Sequence, residues 1–221
     1  MELDHIYICT GRKAPEGDCL VQFGLQEGSS NVHPGQGTAN RRFFFHNFML
    51  ELLWIADAQE LAALEGSPIR LKERFDALPQ GGSPFGLIFR PALPAHAKDN
   101  APLPEHALYR PVYLPAPLGM QVATDNGAQE PNYVYLDFIT RRDNSATGEP
   151  LDHAHGLKEV TMARVTAATS APLSRTAGHV ASEEKVEIVP GAGHLLELYF
   201  DGATQGISRD FRPHLPLIFH W

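Results

Sequence analysis

The chain reads as an α+β fold of short strands and few helices. Three observations predict it. Short apolar runs recur along the chain, bounded by Gly, Pro, Asn and Asp. Two of them, Arg41 to Phe45 and Phe48 to Ile55, are split by the polar pair His46-Asn47, the spacing of a β-hairpin. Residues 3–57 and 157–221 each read as a strand, a short helix and further strands, so paired βαβββ units form an internal repeat. This divides the chain into a first unit over 1–80 with a trailing helix, a proline-rich middle over 81–150 and a second unit over 151–221, together one compact domain.

In order, Leu3 to Thr10 is a strand, with His5 on the face of Leu3 and Tyr7 by simple alternation. Gly11 to Gly17 breaks it. Asp18 to Leu25 is a short helix, and Glu27 to Val32 a loop or edge strand. Apolar residues recur at helical spacing from Asp57 to Leu78, with Asp57 as N-cap and Glu60 as its capping-box partner. Gly66-Ser67-Pro68 splits that helix in two. Phe85 to Arg90 is a strand. Prolines are dense from Pro79 to Pro117, so no long helix forms there; Ala92 to His106 is an extended loop, and Ala107 to Leu114 pairs with a sheet edge. Asn132 to Thr140 is a strand and Arg141 to Pro150 a polar loop. Leu157 to Ala167 is a strand, Ser170 to Ala181 a helix, and Lys185 to Val189, His194 to Asp201 and Leu215 to Trp221 are strands.

The hairpin carries one anomaly. Glu51 shares a strand face with Met49 and Leu53, and a carboxylate on an apolar face needs a partner. Hairpin register places Arg42 opposite Glu51, which offers a cross-strand ion pair. A metal ion or a bound small molecule is the other solution, and it requires a second group from elsewhere in the chain.

Composition removes several classes of function. The net charge of −8, with basic residues only in isolated pairs such as Arg41-Arg42 and Arg141-Arg142, argues against nucleic acid as a partner. No apolar run approaches the ~18 residues of a membrane span, and the charged start MELDHIYICTGRK lacks a signal-peptide core; the expected compartment is the cytoplasm. Cys9 and Cys19 form neither a disulfide framework nor a CxxC metal site. The Gly35 to Gly37 loop lacks the GK[ST] of a phosphate loop, and no G-x-S-x-G hydrolase elbow is present.

The opening LDHIYI, the loop and strand HPGQGTANRRFFF, and MLELLWIAD resemble the vicinal oxygen chelate superfamily in its glyoxalase-like branch. HGLKEVTMARV and RDFRPHLPLIFHW resemble the branch's second unit. The resemblance implies paired βαβββ units curled into a U-shaped, barrel-like cup with the site on its concave face. It implies a divalent metal (Zn, Fe, Mn or Ni) held by His5 and Glu51 on neighbouring strands, with Glu159, at the position matching His5 in the second unit, as a third ligand or catalytic base. The expected activity is lyase, isomerase or dioxygenase chemistry on a small oxygenated molecule, with a homodimer also allowed. The second unit departs from the pattern: an apolar residue near Leu217 or Ile218 stands where its carboxylate belongs. A metal-free cup that binds or sequesters a small molecule is the alternative.

His33 and Asn40 flank the Gly-rich loop. They sit either at the rim against substrate, His33 in a catalytic role, or as a surface histidine and a turn cap. Arg42 contacts substrate, orients Glu51, or simply pairs with it. Glu159 is otherwise a solvent-facing carboxylate, and His153 and His155 fall in a loop rather than a strand.

Overall fold

The hairpin closes as its spacing predicts. In the computed structural model, which describes residues 1–92, 103–140, 147–182 and 185–221, β3 (Thr38–Phe44) and β4 (Met49–Ile55) pair antiparallel, with Phe44 opposite Met49 and Arg42 opposite Glu51. The first strand, β1 (Glu2–Cys9), lies parallel to β4, with Tyr7 beside Glu51. Between β1 and β3 the chain forms α1 (Asp18–Phe23) and the edge strand β2 (Asn31–His33). Residues 2–55 are therefore a βαβββ unit with strand order β2-β3-β4-β1.

The partner of this unit comes from the proline-rich middle, which corrects the expected pairing with residues 157–221. Strand β5 (Phe85–Arg90) runs antiparallel to β1. Beyond it lie β8 (Asn132–Tyr135), β7 (Met120–Ala123) and β6 (His106–Tyr109), completing an eight-stranded sheet in the order β2-β3-β4-β1-β5-β8-β7-β6. Because β5 and β8 are parallel, the second half mirrors the strand order of the first. The reading missed β7, whose MQVA run is too short to carry a pattern. The extended reading of Ala92 to His106 falls largely outside the described residues, as does the start of the loop from Arg141.

Residues 157–221 build a second, five-stranded sheet of order β10-β9-β11-β13-β12. Its strands are β9 (Val160–Ala167), β10 (Val186–Pro190), β11 (Leu195–Phe200), β12 (Ser208–Asp210) and β13 (Leu217–His220), with α4 (Arg175–Ala181) between β9 and β10. The strand after the helix pairs parallel with β9, so the βαβββ order is not repeated here. Among the described residues the fold is α+β with two mixed sheets and no closed barrel.

Strand alternation places the core. Ile6, Ile8, Leu50, Leu52, Leu87 and Phe89 of the first sheet join Val165, Leu196, Leu198, Phe200 and Phe219 of the second in one buried cluster. Each fully buried side chain of this size contributes about 1.5–3 kcal/mol. The opposite face of the first sheet carries a separate cluster, in which Tyr7, Leu53, Ile88 and Val134 meet Leu61, Ile69 and Leu71. Those last three belong to α2 (Ala58–Ala62), α3 (Leu71–Ala77) and their linker, the two helical pieces divided at Gly66-Ser67-Pro68. Asp57 caps α2 through bonds from the Gln59 and Glu60 amides. Glu60 is not its reciprocal partner; its carboxylate accepts from the Gly35 and Gly37 amides and ties the Gly-rich loop to the helix. Gly37 needs to be glycine: its φ is +71°, and a Cβ would lie 2.4 Å from the Asp57 carbonyl oxygen.

Candidate functional site

A pocket of about 200 Å³ opens on the helix-covered face of the first sheet. Its floor is apolar, with Met49 and Leu53 from β4, Ile88 from β5 and Val134 from β8. Its polar wall contains five side chains singled out from sequence: His5, His33, Asn40, Arg42 and Glu51. Glu159 is not among the lining residues. It lies in the segment entering β9, where its amide donates to Asp201, on the other side of the first sheet. The expectation fails because residues 157–221 cover the sheet's opposite face.

His5 reaches the pocket through a β-bulge. Leu3 opposes Phe89 and His5 opposes Ile88, so Asp4 is an extra residue in β1. Simple alternation would put Leu3 and His5 on one face; the bulge sends Leu3 into the inter-sheet core instead. It also lets Asp4 bond its own neighbour. His5 Nδ1 lies 2.6 Å from Asp4 Oδ2, while Asp4 Oδ1 accepts from Arg90 Nη1 at 2.6 Å. Asp4 and Arg90 are both fully buried, and Arg90 also donates to the Asn47 carbonyl and lies 3.4 Å from Glu2. Sequence reading missed Asp4 and Arg90. The Asp-His dipeptide was a signal for the first; nothing in FGLIFR pointed to a partner for the second.

Glu51 is only 5 % exposed. Its Oε1 accepts from Asn40 Nδ2 at 2.6 Å, and its Oε2 lies 3.7 Å from His5 Nε2. Asn40 is itself oriented, because its Oδ1 accepts from the Asn31 amide at 2.7 Å. Asn40 is thus neither a turn cap nor a bare rim residue; it holds the carboxylate. Arg42 faces Glu51 in register, but its guanidinium donates to the Ser29 carbonyl and hydroxyl and lies 5.1 Å over the Phe44 ring. That contact set places it at the pocket's margin.

The rim is a second hydrogen-bonded chain. Tyr113 donates to Gln36 Oε1, Gln36 Nε2 donates to Thr38 Oγ1, and that hydroxyl meets His33 Nδ1 at 2.9 Å. Burial holds the His33 imidazole below its ordinary pKa, partly offset by Glu51, so it stays neutral at pH 7. Burial likewise raises the Tyr113 phenol. Cys9 shares the His5 face of β1, and desolvation pushes its thiol up to about 12, which makes it a packing residue rather than a nucleophile. His153 and His155 do lie in a loop. They serve separate elements, His153 bonding the Phe44 carbonyl and His155 stacking on Phe23.

A divalent metal would find two donors here, His5 Nε2 and Glu51 Oε2. Among the described residues no group of three His, Cys, Asp or Glu side chains is placed to hold one. Catalytic zinc sites use three protein ligands, so the donor set falls one short.

No family profile and no curated protein matches the chain. Among solved structures it is similar to a hypothetical protein from Staphylococcus aureus, at 13 % identity and a TM-score of 0.54, covering 99 % of this chain and 98 % of that one. It is also similar to a hypothetical protein from Bacillus halodurans, at 14 % identity and a TM-score of 0.40, covering 65 % of this chain and 98 % of that one. The first likeness extends over the whole fold and speaks to the fold alone. Among the described residues no helix is long and apolar enough to cross a membrane.

Proposed function

We propose that this chain binds a small, apolar-bodied molecule in a glyoxalase-like pocket, without a resident metal, and engages the polar head of that molecule with His5 and Glu51. The observation that carries the reading is convergence. An imidazole and a carboxylate, each oriented by a further buried group, meet over an apolar floor in a pocket of about 200 Å³. The pair is placed to exchange a proton with a bound molecule, His5 Nε2 being the basic nitrogen left over once Nδ1 is engaged by Asp4. The test is a fragment screen read by chemical-shift changes in pocket residues. Binders should perturb Tyr7, Leu53 and Ile88 together and lose affinity at least about tenfold in Glu51→Gln, the cost of about one strong hydrogen bond. A screen in which no fragment shifts those residues would sink the proposal.

One observation favours the metal-dependent reading, with lyase, isomerase or dioxygenase activity on an oxygenated substrate in a curled, cup-like sheet. The Asp4 bond to His5 is the kind of contact that orients histidine ligands and fixes their tautomer. Elemental analysis of protein purified without a chelating tag decides it. About one equivalent of metal, lost in His5→Ala, would replace the metal-free reading; no metal after incubation with Zn, Fe, Mn and Ni would retire the metal-dependent one.

A further inference from the structure

We infer that the molecule this pocket takes carries a primary nitrogen head, an ammonium or a carboxamide, whose two or more N–H groups are read jointly by His5 and Glu51. The inference deepens the proposed binding function and rests on it. It begins with what fixes each acceptor. Asp4 accepts from Arg90 at Oδ1, so it is ionised and can only accept at Oδ2. The proton in the 2.6 Å contact with His5 therefore sits on Nδ1, and in that neutral tautomer the imidazole turns a lone pair at Nε2 into the pocket. On Glu51 the Asn40 amide occupies Oε1, and the Asn31 amide at Asn40 Oδ1 fixes which way round that side chain points. Oε2 is left as the second acceptor.

The pocket thus presents two acceptors side by side, Nε2 and Oε2, 3.7 Å apart. That is too long for a hydrogen bond between them, and the Nδ1–H tautomer has no proton at Nε2 to share. What satisfies both is a donor. One atom about 2.9 Å from each acceptor would subtend roughly 80° between them, a spread that two hydrogens on a single nitrogen can serve with slightly bent bonds. A hydroxyl brings one hydrogen and leaves one acceptor unmet. A carboxylate brings none and meets Glu51 as a like charge. The apolar floor beside the pair fits the body of a compact aromatic or branched molecule.

Four probes of one shape separate the chemistries: benzylamine, benzamide, benzyl alcohol and benzoate. Their binding is titrated at neutral pH by shifts of the Tyr7, Leu53 and Ile88 resonances. The expected result is that benzylamine or benzamide binds at least about tenfold more tightly than the alcohol and the acid, the difference made by one additional hydrogen bond. The preference should vanish in Glu51→Gln. Benzylamine against benzamide then separates a charged head from a neutral one. Benzyl alcohol or benzoate binding as tightly as both nitrogen probes would overturn the inference while leaving the binding reading intact. No shift with any probe would count against both. An independent check needs no ligand: the imidazole nitrogen spectrum of His5, assigned by its disappearance in His5→Gln, should show the proton on Nδ1. A proton on Nε2 would remove the second acceptor and overturn the inference.

Discussion

The two sheets carry the same side-chain constellation with its members exchanged. In the first, His5 and Tyr7 lie two residues apart on β1, and Glu51 on the parallel neighbour pairs in register with Tyr7. In the second, Glu197 and Tyr199 lie two residues apart on β11, and His220 on the parallel neighbour β13 pairs in register with Tyr199. The strand orders also correspond: β4-β1-β5 and β13-β11-β9 each join a parallel pair to an antiparallel one. Among the described residues the first constellation lines the pocket of about 200 Å³. Its strand β4 is buried over Met49 to Leu53 on both faces, because α2 and α3 roof one side and the second sheet covers the other. Strand β11 alternates buried and half-buried residues, so Glu197 and His220 stand on the more open face, where they bond each other at 3.2 Å and Arg164 lies 4.0 Å from Glu197. Register brings an imidazole to a carboxylate in both places. A roof and locked partners make one of them a site.

That contrast can be broken first at Arg90. Arg90→Met removes the buried guanidinium from the Asp4 carboxylate, and we expect it to cost about 3–5 kcal/mol of stability, read as a lower urea midpoint. A loss below about 1 kcal/mol would show that water reaches Asp4 and that the relay to His5 is not locked.

A smaller effect is expected with pH. His153 ties the loop before β9 to the first sheet, its Nε2–H donating to the Phe44 carbonyl at 2.7 Å and its Nδ1 accepting from the Gln26 amide at 3.0 Å. A neutral ring serves both bonds; a protonated one cannot accept. Burial lowers its pKa from 6.5 against the opposing pull of the Phe44 bond, so the unfolded chain takes up this proton more readily than the folded one. The stabilisation is complete above that value and falls away as the pH drops below 6.5. Melting temperature should therefore decline between about pH 7.5 and 5.5, and decline less in His153→Gln. An identical acid loss in the variant would assign it to other groups, His33 among them.

The smallest effect sharpens the comparison from the other side. Glu197→Gln, on the open face, should change stability by no more than about 1 kcal/mol, because a partly solvated pair gives little net energy. A change as large as that of Arg90→Met would mean that the second sheet's face is covered in solution.

Much of the first unit could be read from residue order. Two polar residues between aromatic runs set the hairpin register to the residue, and with it Arg42 opposite Glu51. The carboxylate between Met49 and Leu53 stands out because an apolar face has one obvious misfit, and it lines the pocket. The second unit misled. Residues 157–221 contain strands and a helix in the expected succession, but succession does not specify which strands become neighbours. The proline-rich middle supplied the true partner through short strands whose patterns are too brief to read, β7 among them. Glu159 was carried into the site by that mistaken pairing.

The superfamily resemblance proposed a first-strand histidine for Glu51; local information determined most of the strands, the hairpin, the Asp57 cap and the need of Glu51 for a partner. These follow from side-chain period, turn chemistry and the cost of an unpaired buried charge, all of which act over a few residues. Only the tertiary structure decided that Arg90, far along the chain, would neutralise Asp4. It also decided that a bulge would aim His5 into the pocket, that Asn40 would donate to Glu51, and that the second sheet would pack behind the pocket instead of completing it. Each of those depends on which distant backbones lie side by side, and that is settled by burying both faces of the first sheet at once.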